Sequence, residues 1–433
     1  MPIAFLGAIA VGTALMMVPA ARAEPGHAPF VTALFTATSA VCVTGLSVVD
    51  TPTYWSGFGL VLLTVLSQIG GFGIMTLATL LSLLVSRRLG LRSRLLAQAE
   101  SAGLFGGNIG GVLIRVALLM FASEAAISVV LTLRFWLAYD YPFGRAAWEA
   151  VFHAVQAFNN AGFALYPDSL VRFVGDWWIC VPLALGVLGG SIGFPVIFEL
   201  AREWRTAGLW STHTRLTVWG TLLLSLFGFL VFLTFEWSNP GTLGPLSTPA
   251  KVLAAFTQDV MTRSGGFNSI NLGAMNTETI AVTNGMMFIG GGSASTAGGI
   301  KVTTFLLLAF VIWAEIRGEP DVVVRKRRIA EETQRQAITV ALLGVALVGG
   351  GTLALILFTD DVPFDRALFE VTSAFATVGL STGITPELNS AAQMVLVVLM
   401  YVGRVGTIAV GTAIALNTRR RLYRYPEERP LVG

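Results

Sequence analysis

The amino-acid sequence predicts an all-α integral membrane protein, with eight transmembrane helices arranged as four helix–pore-loop–helix repeats around a central pore. Three observations predict it. Apolar stretches long enough to cross a bilayer recur along the chain, basic residues gather in alternate loops, and one short glycine-centred motif occurs four times.

Of the 433 residues, 54% are apolar and only 12% carry a charge, a balance outside that of soluble globular domains. Eight mainly apolar segments follow one another: Ile3–Ala21, Phe58–Val85, Gly111–Leu137, Trp178–Leu200, Thr214–Phe235, Ile280–Ile316, Ala337–Phe358 and Ala391–Leu416. About 20 helical residues cover the roughly 30 Å of a bilayer's hydrocarbon, so each segment is a candidate span. Ala20, Ala21 and Ala23 resemble a signal-peptide cleavage pattern, but no charged segment precedes Ile3–Ala21, and it is read as the first helix.

The net charge of +3 implies no basic surface for nucleic acid. Its distribution carries the information. The segments 87–94, 202–215, 317–335 and 419–429, which follow the even-numbered helices, hold 18 of the 28 Lys and Arg residues. That bias places these loops and the C-terminal tail in the cytoplasm, and the alternate loops outside. Cys42 and Cys180 lie in apolar surroundings without C-x-x-C spacing, so neither a disulfide framework nor a zinc site is expected.

The outward loops contain the repeat. Phe35–Leu46 (FTATSAVCVTGL), Phe152–Phe163 (FHAVQAFNNAGF), Phe256–Phe267 (FTQDVMTRSGGF) and Phe369–Leu380 (FEVTSAFATVGL) align without gaps. Each has a Phe ten residues before a Gly, and the glycines Gly45, Gly162, Gly266 and Gly379 recur at intervals of 117, 104 and 113 residues. The chain therefore divides into repeats at 1–93, 94–205, 206–330 and 331–433, the last including the cytoplasmic tail. The stretch from Phe to Gly is too short to cross a bilayer, so it enters and leaves on one face. Irregular backbone at that depth survives only inside protein or against a wet cavity.

Four such loops can close a ring whose backbone carbonyls replace the water shell of a monovalent cation, with glycine aiming them at the axis. The candidate filter residues are Val43, Thr44 and Gly45; Asn160, Ala161 and Gly162; Ser264, Gly265 and Gly266; and Thr377, Val378 and Gly379. Because main-chain oxygens do the work, the side chains before each Gly are free to differ.

Ile280–Ile316 is too long for one span and is interrupted by GGGSASTAGG at 290–299. Gly290, Gly291, Gly292, Ser293, Ser295, Thr296, Gly298 and Gly299 cannot hold a stable helix, and are expected to form a gating loop at mid-membrane beneath the filter. Lys301, just after the loop, and Arg404, near the middle of the last span, are costly charges there. Arg404 is expected to point inward and pair with the loop. Snorkelling to the interface is an equal alternative for Lys301.

An enzyme is not predicted, and no catalytic residue is assigned. Gly379–Gly383 fits G-x-S-x-G, but His27, His153 and His213 all precede Ser381 and no strand leads into it. A secondary transporter with a midplane solute site is the alternative function, and would show two repeats and intramembrane acids. Here Glu124 is a mid-span acid, while Asp259 and Glu370 sit in the short pore segments.

The chain resembles the Trk/Ktr/HKT superfamily of potassium transporters over nearly its whole length, most closely the bacterial KtrB-like membrane subunit. Beyond the four loops, the resemblance rests on SAVCVTGLSVVDT at Ser39–Thr51, QIGGFGIMT at Gln68–Thr76, GGSIGFPVIFEL at Gly189–Leu200, ASTAGGIKVTT at Ala294–Thr304 and RYPEE at Arg424–Glu428. It implies potassium uptake across the cytoplasmic (inner) membrane, with sodium dependence left open, K+ held by the filter carbonyls and no cofactor on this chain. A Ser in place of the first filter glycine goes with sodium preference in plant relatives, so Gly45 argues for potassium. The resemblance also implies a homodimer in membrane lipid, controlled by a cytosolic nucleotide-binding KtrA-like ring. No G-x-G-x-x-G or G-x-x-x-x-G-K-[ST] occurs in the sequence, so nucleotide control would come from that partner.

Overall fold

A computed structural model describes residues 2–88, 109–324, 327–359 and 361–406. The expected basic clusters at 87–94 and 419–429 and the RYPEE tail lie wholly or largely outside the described residues. What is described is almost entirely helical, the exception being a hairpin in which β1 (Val323–Val324) pairs with β2 (Arg327–Arg328).

The pattern of helix, short helix, loop, helix occurs four times among the described residues. First come α1 (Pro2–Met16), α2 (Phe30–Val41) and α3 (Gly57–Arg88). Next are α4 (Ile109–Ala138), α5 (Phe143–Asn159) and the pair α6 (Trp177–Ile192) and α7 (Phe194–Glu203). The third unit holds α8 (Thr212–Phe235), α9 (Thr248–Thr262), α10 (Thr277–Phe288) and α11 (Val302–Arg317). The fourth holds α12 (Glu331–Phe358), α13 (Phe364–Phe375) and α14 (Ser390–Tyr401).

Among the described residues, four helices are long and apolar enough to cross a membrane, within Gly57–Ile74, Gly110–Ala138, Thr212–Phe235 and Glu331–Phe358. Only 22% of the Glu331–Phe358 segment is buried although it is strongly apolar, so its Leu342, Val345, Leu353 and Leu357 face outward. An apolar surface of that extent is stable against lipid, not water.

The sequence reading of Trp178–Leu200 as one continuous span is corrected. The helix breaks at Gly193, and α6 and α7 are bent by 102°. The cause is local: Gly193 has φ 93°, a conformation costly for residues with a Cβ, and Pro195 lacks the N–H that would continue the α6 ladder. The last expected span, Ala391–Leu416, is described only as far as Gly406, and 407–416 lie outside the described residues. Regular helix stops at Tyr401 and gives way to a π turn at Val402–Gly406. The interruption of Ile280–Ile316 takes the form expected, α10 and α11 flanking a non-helical stretch.

The four short helices α2, α5, α9 and α13 contain 12 to 17 residues, or about 18–26 Å, too short to cross the hydrocarbon. Three start directly after proline (Pro29, Pro142, Pro363), while Pro249 lies in the first turn of α9. Proline at these points presets φ where no intrahelical N–H bond is required. The repeated Phe is the packing anchor of each short helix: Phe35, Phe152 and Phe369 are fully buried, and Phe256 is partly so.

The loop between α8 and α9 of the third unit, with the start of α10, is built around one acid. Glu236, fully buried, accepts from Asn239 Nδ2 and Thr242 Oγ1 at 2.6 Å each, and from Asn276 N–H at 2.9 Å and Thr279 Oγ1 at 2.5 Å. Glu236→Ala leaves four donors without their acceptor and is expected to cost about 3 kcal/mol or more. Thermal unfolding of the detergent-purified protein checks this; an unchanged midpoint would refute it.

Candidate functional site

The C-terminal end of each short helix leads straight into its glycine loop. The partial negative charge at the C-terminus of a helix therefore points at all four loops, a field that favours a cation. The capping residues are Cys42, Asn160, Arg263 and Ala376. Arg263, the one cation among these four caps, turns away and donates through Nη1 to the Thr221 carbonyl at 3.0 Å and through Nη2 to Ser225 on α8.

Backbone conformation repeats more closely than sequence does. Gly45, Gly162, Gly266 and Gly379 have φ of 92°, 72°, 75° and 90°. Two residues earlier, Val43, Asn160, Ser264 and Thr377 have φ of 55°, 61°, 71° and 48°, while the residue between keeps a negative φ. Each loop therefore carries two left-handed residues, one on either side of a residue of negative φ. For β-branched Val43 and Thr377 this conformation is a true outlier, the kind of strain that persists where the surroundings enforce it.

The four loops close on one another as a ring. A Cβ added to Gly45 would overlap the carbonyl of Ala161, and one on Gly162 would overlap the backbone of Gly266. One on Gly266 would come within 3.0 Å of the Val378 oxygen, and one on Gly379 would overlap the Thr44 carbonyl, returning to the first loop. Every predicted filter residue is thus brought to one place. Glycine is required there twice over, for its left-handed φ and for the approach of neighbouring backbone.

The ring is braced from behind. Ser39 Oγ accepts from Gly45 N–H at 3.0 Å and donates to the Leu46 carbonyl at 2.7 Å; Ser373 Oγ accepts from Gly379 N–H at 3.1 Å. In the second loop His153 Nε2 accepts from Leu165 N–H at 3.3 Å, and in the third Gln258 Oε1 accepts from Ser269 N–H at 3.0 Å. Glu370 receives Ser381 Oγ at 2.7 Å, Thr382 N–H at 2.8 Å and Thr385 Oγ1 at 2.7 Å, fixing the chain beyond Gly379. Ser381 of the G-x-S-x-G match is a donor in this brace. On the rim of the second loop Tyr166 donates to Glu149, and burial, reinforced by that carboxylate, pushes its phenol well above the usual range.

The glycine-rich segment is a closed loop directly against the ring. Its stem is made by Gly290 N–H to Ile300 O at 2.8 Å, Ile300 N–H to Phe288 O at 3.1 Å and Val302 N–H to Gly291 O at 3.0 Å. Gly292 N–H donates to the Ser191 carbonyl at 2.7 Å and Thr296 N–H to the Gly190 carbonyl at 3.1 Å, tying the loop to the α6–α7 break. At its tip Thr296 Oγ1 donates to Asn160 Oδ1 at 3.1 Å, and Gly298 N–H to Ser264 Oγ at 3.2 Å. Ser264 Oγ in turn donates to the Thr377 carbonyl at 2.7 Å. Ser295 Oγ bonds the Gly292 carbonyl at 2.6 Å, Ser293 Oγ pairs with Thr303, and Gly299 supplies φ 66°.

Arg404, 2% exposed, donates through Nη1 to the Thr296 carbonyl, while Nε and Nη2 are buried without a partner among the described residues. Lys301 does not snorkel: its Nζ folds back onto the Ala297 carbonyl at 2.5 Å. Arg404 thus sets a cationic side chain with spare donors on the loop that lies against the ring.

Sequence reasoning missed two features of this site. The positive φ two residues before each glycine had no residue-type signal, since Val, Asn, Ser and Thr share none. The docking of the loop onto a second broken helix did have one, in GGSIGFP at Gly189–Pro195.

Comparison with known proteins gives a consistent set of relatives. The family model described as TrkH, cation transport protein, matches residues 8–420. The Ktr system potassium uptake protein B of Bacillus subtilis is 39% identical over 432 residues, covering 100% of this chain and 95% of that protein. The protein of the same name from Vibrio alginolyticus is 35% identical, covering 100% and 94%. The potassium/sodium uptake protein NtpJ of Enterococcus hirae is 31% identical, covering 98% and 94%. Among solved structures, the potassium transporter TrkH from Vibrio parahaemolyticus superposes with a TM-score of 0.67 at 19% identity, covering 97% of this chain and 86% of that one, a likeness of fold.

Proposed function

This chain belongs to the TrkH family of cation transport proteins, and on that premise we propose that it is a multi-pass membrane transporter that takes up potassium through the ring of glycine loops. The observation that carries the reading is the ring itself. Four loops, each with two left-handed residues flanking one of negative φ, meet at the C-terminal ends of four short helices. Carbonyls held this way substitute for the hydration shell of a monovalent cation without any charged ligand. The repeats at 1–93, 94–205, 206–330 and 331–433 each supply one quarter of this filter.

The segment 290–299 acts as the gate. It occludes the underside of the ring, and Arg404 holds it there through the Thr296 carbonyl. Opening requires Thr296, Gly298 and Arg404 to release their partners together. Relatives named as component B of a Ktr system point to regulatory components outside this chain, which we assign to a cytosolic nucleotide-binding KtrA-like ring acting on a homodimer. The relative named for potassium and sodium supports sodium-dependent transport. The inner membrane with a cytoplasmic C-terminus fits the loop charges.

Expression of the wild-type chain with its regulator is expected to restore growth of a potassium-uptake-deficient bacterium on low potassium. Gly162→Ser, whose side chain would run into the Gly266 backbone, is expected to lower the rubidium-to-sodium uptake ratio about tenfold. An unaltered ratio would remove the filter assignment.

Arg404→Ala is expected to raise rubidium flux at least about twofold at matched protein level, because it removes both the tether and the buried charge. Flux equal to or below wild type would count against the gate.

A further inference from the structure

One buried acid has no part in the ring, its brace or the gate. Glu124 lies in the middle of α4 at 5% exposure, at the floor of a groove of about 700 Å³ formed by α3, α4 and α5. Its two carboxyl oxygens are shared between two amides: Gln68 Nε2 donates to Oε2 at 3.1 Å and Asn159 Nδ2 to Oε1 at 3.0 Å. Asn159 Nδ2 also donates to Gln68 Oε1 at 2.7 Å and to the Val155 carbonyl at 2.9 Å. The cluster therefore joins three helices from two repeats. Gly71 completes it, because any Cβ there would overlap Asn159 Oδ1.

The position of Asn159 gives the cluster its meaning. It is the last residue of α5, and the next residue, Asn160, opens the second filter loop with φ 61°. The adjacent asparagines face opposite loads: Asn159 is held from outside by Glu124 and Gln68, whereas Asn160 Oδ1 accepts from Thr296 of the gating loop. Gly70, two residues after Gln68, packs against the Val41 carbonyl and Val43 of the first loop, so α3 is wedged between two filter loops at this point.

We propose that Glu124 is a positioning residue for ion selection. Its carboxyl group, acting through Asn159 and Gln68, fixes the end of α5 so that the Asn160–Gly162 carbonyls keep their aim while the gate bears on Asn160. This rests on the filter reading of the ring. Glutamate is suited to the place because both oxygens accept; glutamine would set an N–H2 group against one of the two donating amides.

The test is the rubidium-to-sodium uptake ratio of Glu124→Gln, read beside Gly162→Ser and wild type, with protein level and thermal midpoint measured on the same samples. Glu124→Gln is expected to lower the ratio about fivefold while the protein remains folded. A wild-type ratio in Glu124→Gln overturns the inference. If Gly162→Ser is altered in that experiment the filter reading stands, and if neither variant differs the filter reading falls as well. Should Glu124→Gln fail to fold, Gln68→Met carries the test: a lowered ratio supports the proposal, and an unaltered one overturns it.

Discussion

A bare cation crossing hydrocarbon must exchange its water for protein oxygen, and on the reading proposed above the ring of glycine loops supplies that oxygen from its backbone. That exchange demands irregular backbone at the depth where a bilayer tolerates it least. The surrounding architecture satisfies both conditions together. Short helices end at the ring, so the partial negative charge of their C-termini is directed at it. Long apolar helices surround them, keeping the exposed peptide groups away from lipid. The strain of Val43 and Thr377 at φ 55° and 48° is held by bonds from outside the loop, through Ser39 and Ser373 to the glycine N–H groups.

The sequence reveals those parts of the fold in which one residue type is physically obligatory. At each of the four ring glycines a side chain would collide with a neighbouring loop, so the spacing from Phe to Gly is enough to expose the repeat. The GGGSASTAGG segment is legible for a similar reason: Gly292 and Gly298 sit against the backbones of Ile192 and Ala376. The left-handed residues two places before the ring glycines are not legible. Their conformation is imposed by packing on Val, Asn, Ser and Thr alike, and tertiary constraint leaves no trace in composition. The break at Gly193 lies between these cases. Gly189, Gly190, Gly193 and Pro195 mark it, but the apolar run continues through Val196, Ile197 and Phe198, and hydropathy alone reads one helix.

The break and the gating loop explain one another. A free ten-residue glycine-rich loop would be entropically costly to order. Here its stem is closed by three main-chain bonds, and its flank borrows the carbonyls of Gly190 and Ser191. Those carbonyls lose part of their α-helical continuation because the helix ends at Gly193. A second disrupted helix thus supplies the acceptors that the first disrupted helix needs. The loop consequently has a defined position, held against the ring by bonds at Thr296, Gly298 and Arg404.

Joining four repeats in one chain permits an arrangement that a ring of identical subunits could not adopt. The glycine-rich loop comes from the third unit, and its described contacts with the ring fall on the second loop at Asn160, the third at Ser264 and the fourth at Ala376 and Thr377. The first and fourth loops carry a serine behind the glycine, whereas the equivalent positions in the second and third are Gln156 and Val260. The second loop meets the glycine-rich loop at Asn160 and has its anchor one residue away at Asn159, on Glu124 and Gln68. Support is therefore distributed according to load. Fourfold similarity is kept in backbone handedness and given up in the side chains, where a single loop packs from one side.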